Sequence, residues 1–258
     1  MPPVPAKTAL SERNEQILLL AKGEMITPEI VLRRFLPDGS IEAARSAIRR
    51  LCGEDENPCY LAAEPLDGRR VYYRLTPLAA KILGISPKYA VPLKKLGRVR
   101  HYALSWFIHA ARPGCRKLID SAEVIELLGL RGHRLPRHPF FLDVTTGQEK
   151  LGMIFIDHNA HLRRIVQKTV RPLARFLRHG WFDELIFSGH FLLAVLTFSG
   201  RRQRAITMQL QLALKRLLGS ALRANRSDPS GPLCVQVHLI PGMDAVIATP
   251  NHEEREHE

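Results

Sequence analysis

Residues 27–84 carry, in a fixed order, the sequence signals of two short helices, a hairpin and a third helix. Thr27-Pro28-Glu29 is typical of a helix N-terminus, because it supplies a hydroxyl cap, a proline at the first position and an acid in the first turn. The helix predicted there ends at the turn Pro37-Asp38-Gly39. Ser40 can cap a second helix, whose apolar residues recur as one stripe. The stripe consists of Ile41, Ala44, Ile48 and Leu51.

A β-hairpin is predicted directly after the second helix. Segments 60–64 and 70–75 alternate in polarity and flank Pro65-Leu66-Asp67-Gly68, and an Asp-Gly corner between such segments is a strong hairpin signal. Thr76 can cap a further short helix, which ends at Gly84. This order is that of a winged helix-turn-helix, so we expect that fold for residues 11–84.

The solvent face of the second helix suits DNA. In this fold the second helix enters the major groove, where arginine and serine side chains bind base edges and phosphates. The candidate residues on this helix are Arg45, Ser46, Arg49 and Arg50. Arg69 and Arg70 lie beside the hairpin turn, where we expect them to reach phosphate or the minor groove. A winged helix that serves only for protein contacts is the alternative.

The positive charge of the chain is concentrated in its second part. The net charge is +13, and residues 158–226 hold 13 basic side chains against two acids. A long helix predicted at 160–179 carries five of these cations at spacings of four, three, four and three, so they form one stripe. They are Arg164, Lys168, Arg171, Arg175 and Arg178. A solvated face normally mixes both signs, so this stripe indicates a polyanionic partner. Arg202, on a second basic helix, is a further candidate for DNA contact.

The rest of the chain predicts an α/β domain at residues 97–249, after a linker at 85–96. Helix, hairpin, helix, strand, helix and two final strands follow one another, which is typical of a sheet flanked by helices. The hairpin joins 140–145 to 151–156, the next strand covers 191–198, and the last two cover 234–240 and 245–248. Residues 1–10 and the acidic tail at 250–258 are expected to be disordered.

The chain resembles the plasmid replication-relaxation proteins over about residues 10–250. The resemblance rests on the segments 71–76, 152–157 and 194–202, which read VYYRLT, GMIFID and AVLTFSGRR. It implies a winged helix joined to a degenerate nuclease domain of the PD-(D/E)xK, restriction-endonuclease-like fold. It also implies a role in replication, DNA relaxation, transfer or gene control on a plasmid or other mobile element.

A metal-dependent DNA nuclease or nickase is therefore an alternative function. Such enzymes hold Mg²⁺ with an Asp on one strand and an acid-x-Lys on the next. Asp143 and Asp157 stand at strand positions 14 residues apart, with Lys150 between them. The expected lysine is missing after Asp157, where His158 and Asn159 follow. We therefore expect no catalytic residues and no enzyme activity.

Other classes of function are not indicated. The chain has no P-loop and no G-x-G-x-x-G, its four cysteines are scattered, and its longest apolar run is too short to cross a bilayer. We expect no metal, cofactor, membrane or small-molecule substrate. The expected protein is cytoplasmic and homodimeric, and it binds double-stranded DNA sequence-specifically as a transcriptional regulator or a replication or transfer accessory factor. A structural protein of a DNA-transfer or replication complex is a further alternative.

Overall fold

The computed structural model describes residues 10–22, 24–54, 58–67, 69–130, 135–136, 138–225 and 234–241. Its contacts divide the chain into two compact units, Met1–His109 and Ala110–Glu258. The mixture of helices and sheets confirms the predicted α/β class in its broad form. The predicted strand at 245–248, the acidic tail and nearly all of the predicted disordered N-terminus lie outside the described residues.

The described part of the first unit consists of helices around a two-stranded sheet. Its helices and strands are α1 (Glu12–Leu19), α2 (Pro28–Phe35), α3 (Ile41–Leu51), β1 (Leu61–Pro65), β2 (Val71–Leu75), α4 (Pro77–Ile82) and α5 (Lys95–His109). The hydroxyls of Thr27, Ser40 and Thr76 accept hydrogen bonds from the first turns of α2, α3 and α4. These caps confirm the three predicted helix starts.

A short extended segment before α2 adds to the hairpin. β1 and β2 pair antiparallel, from Leu61 opposite Leu75 to Pro65 opposite Val71. The backbone N–H of Tyr73 donates a hydrogen bond of 2.9 Å to the carbonyl of Ile26, which forms an isolated antiparallel bridge. The bridge fixes the start of α2 against the hairpin.

The first unit extends beyond the predicted linker. Ile85 and Ala90 are buried in the same core as α2 and α3, and Pro87–Ala90 forms a 3-10 helix. α5 belongs to this unit, because the buried Ser105 hydroxyl accepts a 2.7 Å hydrogen bond from the backbone of Met25. The segment that was predicted to be a linker is therefore partly packed into the first unit. The boundary between the two compact units lies between residues 109 and 110.

The described part of the second unit is built on one five-stranded sheet. Its elements are β3 (Arg116–Ile119), α6 (Ser121–Leu127), β4 (Phe140–Asp143), β5 (Lys150–Ile156), α7 (Leu162–His179), α8 (Asp183–Phe187), β6 (Phe191–Thr197), α9 (Gly200–Asn225) and β7 (Cys234–Leu239). The strand order is β3-β4-β5-β6-β7. The first two pairings are antiparallel and the last two are parallel. β3 and α8 were not predicted from the sequence.

α7 and α9 pack together on one face of this sheet. Ile165, Leu173 and Phe176 of α7 are buried in the same core as Ile206 and Leu210 of α9. β6 is buried at all seven positions, as expected for a parallel strand inside a sheet. This packing fixes which side of α7 faces solvent.

Gly152 is required by the pairing of β4 and β5. It lies directly opposite Phe141, and the Phe141 ring covers the position that a side chain would occupy. A Cβ atom placed on Gly152 would lie 2.2 Å from Cε1 of that ring. Such a separation is far inside van der Waals contact, so only glycine fits here without movement of the ring.

Candidate nucleic-acid interface

A cleft of about 390 Å³ lies between α3 and the hairpin of the first unit. Arg45 and Arg49 of α3 form one wall, and Arg69 belongs to the hairpin side. Glu29 and Glu42 also contribute, so the lining has mixed charge. The structure therefore brings the predicted residues of α3 and of the hairpin to one concave surface.

The arginines of α3 are exposed and only weakly paired. Arg45 has 57% of its side chain exposed and lies 3.1 Å from the Glu42 carboxylate. Arg49 has 59% exposed and lies 3.8 Å from Glu54. Exposed pairs of this kind contribute about 0–1 kcal/mol, so a phosphate or a base edge can replace the carboxylate at little cost. Arg50 is exposed and Ser46 is half-buried on the same helix.

The two hairpin arginines differ. Arg69 is exposed, as a phosphate contact requires. Arg70 instead donates from Nε and Nη2 to the Asp67 carboxylate, and from Nη1 to the Tyr102 hydroxyl at 2.8 Å. Its guanidinium also lies 4.9 Å from the centre of the Tyr102 ring. The contacts of Arg70 thus hold the hairpin turn together and link it to α5, and they give no support to the prediction that Arg70 reaches DNA.

The Asp67 carboxylate is held in its charged form by this contact. Burial raises the pKa of Asp67, but the hydrogen bonds from Arg70 and from the backbone of Arg69 outweigh that effect, and the net pKa is lowered. The hairpin turn thus carries a fixed carboxylate beside the exposed Arg69. Among the candidates near the turn, only Arg69 stays available for a phosphate.

The α7 basic stripe consists of Arg164, Lys168, Arg171, Arg175 and Arg178, and all five side chains are exposed. Among the described residues, none of the five has a carboxylate within 4 Å. With a rise of about 1.5 Å per residue, the stripe spans about 21 Å. It is a continuous cationic line whose charge is not neutralised by the described part of the chain.

Arg202 does not extend this cationic surface. Its Nε and Nη2 donate to the two carboxylate oxygens of Asp157 at 2.6 and 2.8 Å, and Nη2 also donates to the carbonyl of Ala160. The Thr197 hydroxyl donates to the same carboxylate at 3.1 Å. Asp157 is only 1% exposed, so Arg202 neutralises a buried charge. These contacts give Arg202 a structural role and do not support the prediction that it contacts DNA.

The residues of the proposed nuclease site do not meet. Asp143 lies opposite Lys150 at one end of the β4–β5 pair, whereas Asp157 follows the other end of β5. Seven residues of extended chain separate Lys150 from Asp157, which corresponds to about 23 Å at about 3.3 Å per residue. Two carboxylates at that separation cannot bind one metal ion. The nuclease site built from Asp143, Asp157 and Lys150 is therefore contradicted.

Asp143 has a structural role of its own. Arg116 donates to it at 2.9 Å, and the hydroxyl and backbone N–H of Thr145 donate to its other oxygen. Burial raises the pKa of Asp143, but the bonds from Thr145 and Arg116 outweigh it and lower the net pKa. These contacts fasten the edge strand β3 and the β4–β5 turn to each other.

The described residues contain no group of three or more His, Cys, Asp or Glu side chains that could hold a metal ion. None of their helices is both long enough and apolar enough to cross a membrane.

No family model, curated protein or solved structure matches the chain. The resemblance to the plasmid replication-relaxation proteins therefore stays a prediction that rests on the three segments quoted above.

Proposed function

We propose that the first unit is a winged helix-turn-helix and that the protein binds double-stranded DNA sequence-specifically. The order of α2, α3 and the hairpin, with the bridge between Ile26 and Tyr73, supports this fold. In such a domain α3 enters the major groove and the hairpin reaches the adjacent backbone. The biological role that we propose is that of a transcriptional regulator or a replication or transfer accessory factor of a plasmid or other mobile element.

The observation that carries the proposal is the exposed surface of α3 opposite Arg69. Arg45 and Arg49 are held only by exposed carboxylates and share one cleft with Arg69. Arginine reads guanine by two parallel hydrogen bonds in the major groove, and each such pair contributes about 1–3 kcal/mol of discrimination. α3 thus supplies site preference, while Arg69 binds phosphate.

The α7 basic stripe supplies affinity without sequence preference. Phosphate contacts position a protein on nucleic acid, whereas base contacts specify the sequence. We also propose that two copies bind two half-sites, since one helix of this kind reads only a few base pairs. This division of roles separates the effects of substitutions in α3 from those in α7.

Substitution of Arg45 and Arg49 by alanine together is expected to remove site preference. The preferred duplex is first selected from random sequences with the wild-type protein, and the affinities for that duplex and a scrambled one are then measured. The ratio of the two affinities should fall at least about tenfold, because each lost base contact costs about 1–3 kcal/mol. Affinity for the scrambled duplex should fall only a few-fold.

The matched control is Arg13→Ala with Lys81→Ala. Both residues are exposed in the first unit and lie outside α3 and the hairpin, and the change removes the same charge. This control should keep the affinity ratio of the wild type. An unchanged ratio in the Arg45 and Arg49 variant would sink the assignment of α3. A wild-type protein that retains no DNA at moderate salt would instead favour a structural role in a DNA-transfer or replication complex.

A further inference from the structure

The α7 basic stripe ends at a stack of flat side chains. α7 closes at Gly180, which has φ 67°, and the backbone N–H of Trp181 donates to the carbonyl of Phe176 at 3.3 Å. This left-handed turn folds the indole of Trp181 back onto His179, with ring centres 4.7 Å apart and an interplanar angle of 18°. The Arg175 guanidinium lies 5.5 Å from the centre of the same indole.

The stack is anchored on one side and open on the other. Trp181 is half-buried and packs against the core that contains Phe176. His179 is exposed, so the face of its imidazole that is turned away from the indole is open to solvent. An anchored aromatic pair with an open face is a surface on which a further planar ring can stack.

The chemistry of the stripe indicates which planar ring this is. Surfaces that bind single strands combine a basic line that follows the phosphates with flat side chains on which bases stack, each contributing about 1–3 kcal/mol. Bases inside a duplex already have both faces covered by neighbouring bases. An unpaired base beside a phosphate backbone can therefore use the stripe and the stack together, whereas a duplex interior cannot.

The length and shape of the stripe agree with a single strand. Its five cations lie along about 21 Å of one helix axis. A flexible single strand can place successive phosphates along the whole of such a straight line. Arg178, at the end of the stripe, lies in the last turn of α7 with His179, so a phosphate bound there brings its base close to the stack.

We propose that α7 and its C-terminal turn bind single-stranded DNA, with phosphates on the α7 basic stripe and an unpaired base stacked on His179 and Trp181. This inference rests on the proposed function, because both sites bind nucleic acid. It adds a second form of nucleic acid and a second site. A protein of this kind binds a duplex through α3 and the phosphate contacts of α7, and an opened strand through α7 and its stack.

The experiment compares three probes of equal length: oligo(dT), oligo(rU) and a blunt duplex, each with a fluorescent label. Substitution His179→Ala should weaken oligo(dT) binding about tenfold, within the range for one lost stacking contact. Duplex affinity should change less than about twofold. His179→Phe keeps a flat ring and should restore most of the oligo(dT) affinity.

Two controls make the result specific. His161→Ala removes an exposed histidine just before the first turn of α7 and should leave oligo(dT) binding unchanged. Trp106→Phe leaves Trp181 as the sole tryptophan of the chain, which contains two. In that variant oligo(dT) should quench the tryptophan emission, and the blunt duplex should quench it far less.

The outcomes separate this proposal from the assignment of α3. Equal oligo(dT) affinity for His179→Ala and the wild type would overturn the stacking site, even if α3 keeps its site preference. Stronger binding of oligo(rU) than of oligo(dT) would overturn the assignment to DNA and identify RNA as the source of the strand. If the Arg45 and Arg49 variant loses site preference while His179→Ala binds oligo(dT) as the wild type does, only the duplex function is supported.

Discussion

Glutamate at positions 168, 171 and 175 is expected to lower the affinity of the protein for DNA by about 10²–10³-fold near 0.1 M salt. Lys168, Arg171 and Arg175 lie in the middle of the α7 basic stripe, and among the described residues none has a carboxylate within 4 Å. Each phosphate contact on duplex DNA adds about 0.9 to the dependence of log affinity on log salt. Over the tenfold range from about 1 M to about 0.1 M salt, three lost contacts therefore lower the logarithm of the affinity by about 2.7. Fluorescence anisotropy with labelled duplex and single-stranded DNA measures the loss.

The substituted helix should remain folded. The glutamates at positions 168 and 175 lie four and three residues from Arg164 and Arg178, and each such pair stabilises a helix by about 0.2–0.5 kcal/mol. These two pairs offset the two like-charge pairs that the glutamates form with one another. Circular dichroism checks this. The control is Arg13→Glu, Lys81→Glu and Lys94→Glu, three exposed positions of the first unit with the same total change in charge. If the control loses as much affinity as the α7 variant, net charge alone governs binding and the stripe is not a site.

Gly152→Ala is expected to destabilise the second unit by about 1–3 kcal/mol, the usual cost of overpacking a core. The added Cβ would lie 2.2 Å and 2.3 Å from two atoms of the Phe141 ring, and that ring is fully buried. Any movement of the ring would therefore disturb the buried side chains around it. Urea or thermal unfolding, followed by circular dichroism, gives the change in the free energy of unfolding.

A double substitution tests the register of β4 and β5. In a Phe141→Leu background the same Gly152→Ala change should cost at least about 1 kcal/mol less, because residues in direct contact are coupled energetically. Gly200→Ala is the control: it begins α9, and a Cβ there meets no atom within 4 Å. It should be neutral or slightly stabilising. An identical cost of Gly152→Ala in both backgrounds would mean that the two residues do not face each other.

Local sequence signals predicted the helices and the hairpin well, because each depends on residues close together in the chain. Thr27, Ser40 and Thr76 cap the helices that they were predicted to start. β3 was missed because its four residues, Arg116 to Ile119, show no alternation of polarity and become a strand only by pairing with β4. α5 was assigned to the wrong side of the boundary, because its partners in the first unit lie far away in sequence.

The pairing state of each arginine could not be predicted from spacing alone. Arg70 contacts Tyr102, 32 residues away, and Arg202 contacts Asp157, 45 residues away. Such contacts depend on how distant segments pack. The α7 basic stripe was predictable, because the helix contains no acid that could neutralise it.

The observed register of the hairpin explains why Asp143 and Asp157 lie apart. In antiparallel strands the last residue before a turn lies opposite the first residue after it. Asp143 ends β4 and therefore pairs with Lys150, so Asp157 had to lie at the far end of β5. The spacing of 14 residues in the sequence does not show how far apart the two carboxylates lie, because the chain reverses direction at the turn between them.

The salt dependence of duplex binding tests the central claim most directly, namely that exposed and unpaired cations bind a nucleic-acid backbone. The plot of log affinity against log salt for the wild-type protein should have a slope of about −4 or steeper, since five contacts at about 0.9 each give about −4.5. The α7 glutamate variant should lose at least about half of that slope. A wild-type slope flatter than about −1, or no binding of DNA at moderate salt, would contradict the claim.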